Sequence, residues 1–346
     1  VKKTKILVLI CLLMMLLACS SLGSVQETLT PPQATHIPDT ATPSPSPFIT
    51  ATFDNTSSSV EYKVKQNIHF VNEGIGEVSR LLATVALIRD YAPNQEVLQM
   101  HITPGTYSLI NDEYGNTYAQ IEITDLPSQQ STEVEITYLV RVYEVRAKVG
   151  ECVGKLPSDL TSPERYIESN SRQILDLSTS LTKDSKTPCD ETRAFYDYVT
   201  ENMTYSGYNP GDAGARQAAL TLSGDCTEFS DLLTALNRSV GIPARFMEGV
   251  MCCTDLGYDE GQIKHNWVEV YLPGTGWAPM DPTFGRFPTD REEYFAHMTP
   301  DHIIVTTGRN LSTLMGYHYY AYRFWWDAEP TNITTQETWS ILKSGQ

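Results

Sequence analysis

The chain reads as α+β: a domain of helices on an antiparallel sheet, preceded by an all-β sandwich. From Val60 to about Ala147, apolar and polar residues alternate in short runs with no helical period between them. After Gly150 the spacing changes to three-and-four, the repeat of a helix that buries one face. Further on, the alternating runs that begin at His265 and at Trp277 flank Pro273-Gly274-Thr275-Gly276, which is the pattern of a hairpin.

Taken in order, residues 1–18 carry Lys2, Lys3 and Lys5 ahead of an apolar run from Ile6 to Leu17, which closes on Leu16-Leu17-Ala18-Cys19. This resembles a bacterial lipoprotein signal, and the resemblance implies cleavage before Cys19 and lipidation of that cysteine. An ordinary secretory signal or an uncleaved anchor is the alternative, and each version puts the body of the chain outside the cytoplasm. Residues 19–59 are rich in Thr, Pro and Ser, with Thr42-Pro43-Ser44-Pro45-Ser46-Pro47 at the centre, and are expected to form an extended tether. The formal charge is −17, and removal of three lysines with the signal takes it lower still. That balance argues against nucleic acid as a partner and names no substrate.

Residues 60–150 are expected to be the sandwich. Val60, Tyr62, Val64 and Ile68 share one face of a strand, as do Val134, Ile136, Tyr138, Val140 and Val142, and Asn111 to Asn116 supplies a turn. No chemistry-bearing constellation falls there, so the expected role is a spacer or a docking module.

Residues 151–346 are expected to be the catalytic domain, about 190 residues with a core of its own. Helix starts are predicted at Ser162-Pro163-Glu164 and at Thr187-Pro188, the second helix burying Ala194, Phe195, Tyr198 and Val199. A third helix places Cys226, Phe229, Leu232, Leu233, Leu236 and Val240 at helical spacing and stops at Gly241 and Pro243. Asp225 and Glu228 fit a capping box, which makes Cys226 the first helical residue. Free N–H groups and the positive end of the dipole there are expected to favour a thiolate and to receive an oxyanion.

His265 and Asp281 lie either side of a turn near their midpoint, so they are expected on neighbouring strands about 5 Å apart. Asp281 would then fix the imidazole tautomer that accepts the thiol proton. His36, His69 and His101 lie in the tether or the sandwich, and His297, His302 and His318 follow the hairpin with no carboxylate at comparable spacing. Tyr205 is a weaker oxyanion donor, more often a core residue, and Trp267 a wall of the site that packing alone would also explain. Asp255, Asp259 and Glu260 read as a solvated turn before a calcium loop. The aromatic run Tyr317 to Trp326 reads as a strand covered on both faces, ahead of a peptide or sugar platform.

Of the seven cysteines, Cys11 leaves with the signal, Cys19 takes the lipid and Cys226 stays free. Cys152, Cys189, Cys252 and Cys253 allow three pairings; Cys152–Cys189 is favoured, because a bond between neighbours 252 and 253 strains the peptide. No metal or cofactor is expected, since His and Cys fall at no ligand spacing.

Gly224-Asp225-Cys226-Thr227-Glu228, Gly241-Ile242-Pro243-Ala244-Arg245, His265-Asn266-Trp267-Val268-Glu269-Val270 and Gly276-Trp277-Ala278-Pro279-Met280-Asp281-Pro282-Thr283 together resemble the bacterial transglutaminase-like superfamily. Asn266 stands where Ala is frequent. The resemblance, over roughly Pro188 to Gly285, implies a papain-like fold and a Cys226-His265-Asp281 triad. The expected function is cleavage or transfer of amide or peptide bonds through a Cys thioester, with hydrolysis favoured over transamidation. Expected partners are a peptide or protein amide, cell-wall peptide among the candidates, and the membrane through the N-terminal lipid. A catalytically silent surface binding or scaffold lipoprotein is the alternative.

Overall fold

The computed structural model describes residues 58–252 and 264–345, all within one compact unit, Ile49–Gln346. Cys19, the signal, most of the tether, Cys253 and the acidic residues Asp255, Asp259 and Glu260 lie outside the described residues.

Strands β1 (Ser59–Asn72), β2 (Val78–Ala86), β3 (Gln95–Thr103), β4 (Ser108–Asn111), β5 (Thr117–Leu126), β6 (Ser131–Tyr143) and the short β7 (Val145–Arg146) come first. Helices α1 (Arg172–Leu181) and α2 (Pro188–Asn202), strand β8 (Thr204–Tyr205), helix α3 (Ala215–Thr221), strand β9 (Ser223–Gly224) and helix α4 (Cys226–Ser239) follow. Strands β10 (Ala244–Met251), β11 (Lys264–Leu272), β12 (Gly276–Met280), β13 (His297–Met298), β14 (His302–Thr307), β15 (Tyr320–Trp325) and β16 (Ile333–Lys343) complete the order.

The alternation read from β6 is the alternation observed: Val134, Ile136, Tyr138, Val140 and Val142 are all buried. Each contributes roughly 1.5–3 kcal/mol by leaving water. The sandwich, however, is not closed by residues 60–150. Its sheets run β16-β1-β6-β3 and β15-β2-β5-β4, so the last two strands return to pair with β1 and β2. Pairing partners so far apart in sequence leave no local pattern, which is why the expected division at residue 150 misassigns β15 and β16. The strand β15 is also not covered on both faces: Tyr320 and Tyr322 pack edge-on against Phe70, while Trp325 is exposed beneath the Arg80 guanidinium.

A third four-stranded sheet, β12-β11-β10-β14, carries the helices on one face. Its other face contributes Val250, Ile303 and Val305 to the sandwich's own core cluster. Two buried amides fasten the sandwich to the edge strand β14. Gln95 donates to Ile304 O (2.8 Å) and accepts from Ile304 N (2.7 Å), and Asn116 does the same with Thr307 at 2.8 Å each way. The sandwich is thus a bolted-on layer, since each amide satisfies backbone groups that an edge strand otherwise leaves open.

Helix α2 starts as expected, with Thr187 and Asp190 forming a capping box and Pro188 in the first turn. Its buried face is rotated from the expected one: Thr192, Phe195, Tyr196 and Val199 are buried, whereas Ala194 and Tyr198 are half-buried. Tyr196 can enter the core because its hydroxyl donates to Arg291 O at 2.9 Å. No helix starts at Ser162-Pro163; α1 begins at Arg172 behind Ser171. The carbonyl of Ser162 and the carboxylate of Glu164 are instead taken by Arg238 of α4, at 2.8 and 2.6 Å. Tertiary pairing overrides the local helix signal. The disulfide Cys152–Cys189 forms as favoured, with Cα atoms 5.9 Å apart. Cys252 is also disulfide-bonded. Among the described residues no helix is long and apolar enough to cross a membrane.

Candidate active site

The approach to Cys226 is set by backbone. The short parallel strands β8 and β9 pair Tyr205 with Gly224, delivering the chain to the N-terminus of α4. Only glycine fits at 224, because a Cβ there would lie 2.3 Å from Glu228 Cβ. Asp225 caps the helix from an extended conformation, its Oδ1 accepting from Thr227 N at 2.8 Å, and Glu228 accepts from Asp225 N at 3.0 Å. The expected capping box is present and does more than cap. Asp225 Oδ2 accepts from Asn209 N at 2.9 Å and Glu228 Oε1 from Ala213 N at 3.2 Å, so the same two carboxylates hold the loop that forms one wall of the cleft.

Helix α4 is not simply amphipathic, since its polar residues are buried as well. Asp231 pairs with Arg309 at 3.0 Å, Asn237 accepts from Thr192 at 2.7 Å and Arg238 donates to Ala244 O at 2.8 Å. A helix wrapped on all sides holds its first residue rigidly.

His265 stands near the start of β11, opposite Gly249 of β10. A Cβ at 249 would fall 2.2 Å from Ile303 O and 2.5 Å from the Trp267 ring, so glycine makes room for the indole. Trp267 is fully buried and stacks on the His265 ring at 6.0 Å. It therefore backs the imidazole and is not the wall of the cleft that the sequence suggested. Tyr205 does line the cleft, its ring beneath the Arg286 guanidinium.

Asp281 follows β12 and is fully buried. Its Oδ2 accepts from His265 Nε2 at 2.7 Å, and its Oδ1 accepts from Thr283 N at 2.8 Å and Phe284 N at 3.1 Å. Burial alone would raise this carboxyl, but His265 and His302 hold it well below the usual carboxylate range. An ionised Asp281 accepts, so His265 Nε2 carries the hydrogen and Nδ1 is left as the accepting nitrogen.

The sequence shows no carboxylate at comparable spacing from His302, and the fold supplies two. Its Nε2 lies 3.2 Å from Asp281 Oδ2 and its Nδ1 2.8 Å from Asp301 Oδ1, in a fully buried position. Burial lowers its pKa, and Asp301 and Asp281 more than reverse that, raising it to about 9. The available signal was the adjacent Asp301; the contact to Asp281 needs β14 to lie beside β10. His297 and His318 also have carboxylates, Glu144 at 2.9 Å for the first and Glu248 and Asp212 for the second. Among the described residues, His265, Asp281 and His302 are the group whose donor atoms, within 4.8 Å of one another, could surround a metal. In this arrangement each is already engaged with another.

Cys226 is half-buried and free. Burial first, and then the Asp225 carboxylate, push its thiol up, opposed by the main-chain N–H of Asn266. These influences oppose the thiolate expected from the helix start, where the carboxylates of Asp225 and Glu228 also sit. Asn266, a residue of no expected consequence, lies with its Nδ2 3.8 Å from Cys226 Sγ and 3.0 Å from Thr227 Oγ1. Cys226, His265 and Asn266 open together on a cleft of about 480 Å³, rimmed by Tyr208, Asp212, Glu248, Lys264, His318 and Glu337.

Residues 175–282 match the Transglutaminase-like superfamily. The protein YebA of Bacillus subtilis (strain 168), itself uncharacterised, is 30% identical over 184 residues, which is 46% of this chain and 25% of that protein. The chain thus spans about a quarter of the length of the curated relative it matches. Among solved structures, a candidate cysteine protease from Cytophaga hutchinsonii is 17% identical with a TM-score of 0.58, covering 84% of this chain and 92% of the other. The shared fold reaches beyond the matched segment into the sandwich. The segment that matches the Transglutaminase-like superfamily, residues 175–282, thus holds Cys226, His265 and Asp281 together.

Proposed function

We propose that the cleft is the active site of an extracytoplasmic thiol enzyme that opens amide bonds. The observation that carries this is the convergence of Cys226, at the first position of α4, and the His265–Asp281 pair on one cavity. Because the thiol rests protonated, its proton passes to His265 Nδ1 as Sγ bonds to the carbonyl carbon. Asp281 stabilises the imidazolium that results. The C–N bond then breaks, the amine leaves with that proton, and a thioester remains on Cys226. Water, deprotonated by His265, releases the acid; an amine in its place would give transamidation. Hydrolysis is favoured, since it asks of the cleft only that water enter.

The substrate class is a peptide or protein amide, with cell-wall cross-bridge peptides among the candidates. The lipoprotein-like N-terminus and the Cys152–Cys189 disulfide support a location outside the cytoplasm, where such bonds persist. The test compares wild type with Cys226→Ala on peptide and peptidoglycan fragments. Activity should fall by about a thousandfold or more, and an alanine variant as active as wild type would overturn the proposal. An alanine variant that still binds the fragments, beside a wild type that never turns them over, marks a binding module.

A further inference from the structure

The strand residue after His265 places an amide against the reacting sulfur. Asn266 is buried, its Nδ2 lies 3.8 Å from Cys226 Sγ, and the 3.0 Å bond to Thr227 Oγ1 fixes the amide in that direction. With one Nδ2 hydrogen on Thr227, the other is directed at the sulfur. The amide oxygen, Oδ1, is buried without a hydrogen-bond partner, so the side chain is not held there for the sake of its acceptor. The carboxylates of Asp225, Asp281 and Glu228 all disfavour a negative sulfur.

We propose that Asn266 is a catalytic residue, donating an N–H···S hydrogen bond from Nδ2 that stabilises the Cys226 thiolate as its proton passes to His265. This rests on the thiol chemistry proposed above. Asn266 supplies from a strand the stabilisation that the carboxylate-filled helix start withholds. Thr227, which touches the sulfur through no bond of its own, is the positioning residue for the amide. The main-chain N–H at 266 also favours the thiolate and survives any substitution, so a variant reports on the side chain alone.

The experiment is the rate of iodoacetamide alkylation of Cys226 against pH, read by mass spectrometry on the intact protein, with thermal unfolding as the check on folding. Asn266→Ala should displace the profile upward by about one pH unit, roughly a tenfold slower alkylation at neutral pH, as expected for loss of one charge-assisted hydrogen bond. Asn266→Asp, which replaces the donor with a carboxylate, should displace it further. Thr227→Val keeps the amide but releases it, and should give a smaller displacement in the same direction. Profiles of Asn266→Ala and Thr227→Val that superimpose on wild type overturn the inference. The profile of His265→Ala separates the two levels of argument: if it too matches wild type, the thiol-imidazole chemistry itself fails, whereas a displaced His265→Ala beside an unmoved Asn266→Ala removes only the role of the amide.

Discussion

Replacing His302 with glutamine removes the imidazolium that sits between Asp281 and Asp301, and the structure sets the size of the effect. A folded pKa of about 9 against an ordinary 6.5 corresponds to about 3.5 kcal/mol at 1.4 kcal/mol per unit. An independent argument agrees: removing one partner from a buried ion pair costs roughly 3–5 kcal/mol, because the remaining charge is stranded. A raised histidine stabilises the folded state fully below its unfolded pKa and loses that contribution as pH rises through its folded pKa. The contribution of His302 should therefore be complete below about pH 6.5 and fade through about pH 9. Urea unfolding of wild type and His302→Gln at intervals across that range measures it. The gap between the two proteins should be about 3.5 kcal/mol on the acid side and should narrow on the alkaline side. His318, which Glu248 raises to about 10, titrates nearby, so the gap and not the wild-type curve isolates His302. A gap that stays constant across the range would mean that His302 is neutral, and the account of Asp281 as a carboxylate held by two imidazoles would be wrong.

Two further outcomes follow from the same geometry. Asp225→Asn keeps a helix cap but removes the charge beside the sulfur, so the alkylation profile of Cys226 should move to lower pH. Stability should fall by about 1 kcal/mol, because one of the two accepting oxygens is lost; a profile that does not move would leave burial alone as the cause of the raised thiol. Gln95→Leu strands the N–H and C=O of Ile304 in the interface with the sandwich, at a cost of roughly 2–5 kcal/mol. A urea midpoint within error of wild type would show that the sandwich is not fastened by that amide.

Much of the fold could be read directly. The β6 face, the α2 cap, the α4 cap and the 265–281 hairpin are set by neighbours within a few residues, and each formed where its pattern lay. Of the proposed catalytic set, the positions of Cys226, His265 and Asp281 were legible because the helix start and the hairpin are local devices that carry their residues with them. His302, Asn266 and the true edges of the sandwich were not. His302 reaches Asp281 only because β14 lies beside β10, and Asn266 reaches Cys226 only because β11 packs under the start of α4.

Sequence by itself determined which residues cap, alternate and turn, since these follow from backbone hydrogen bonding and side-chain period over short spans. The tertiary structure decided what surrounds the charges. It set an overlooked histidine between two buried carboxylates and aimed an amide at the sulfur. Those outcomes depend on distances between segments far apart in the chain, and electrostatic energies in a buried site are governed by such distances.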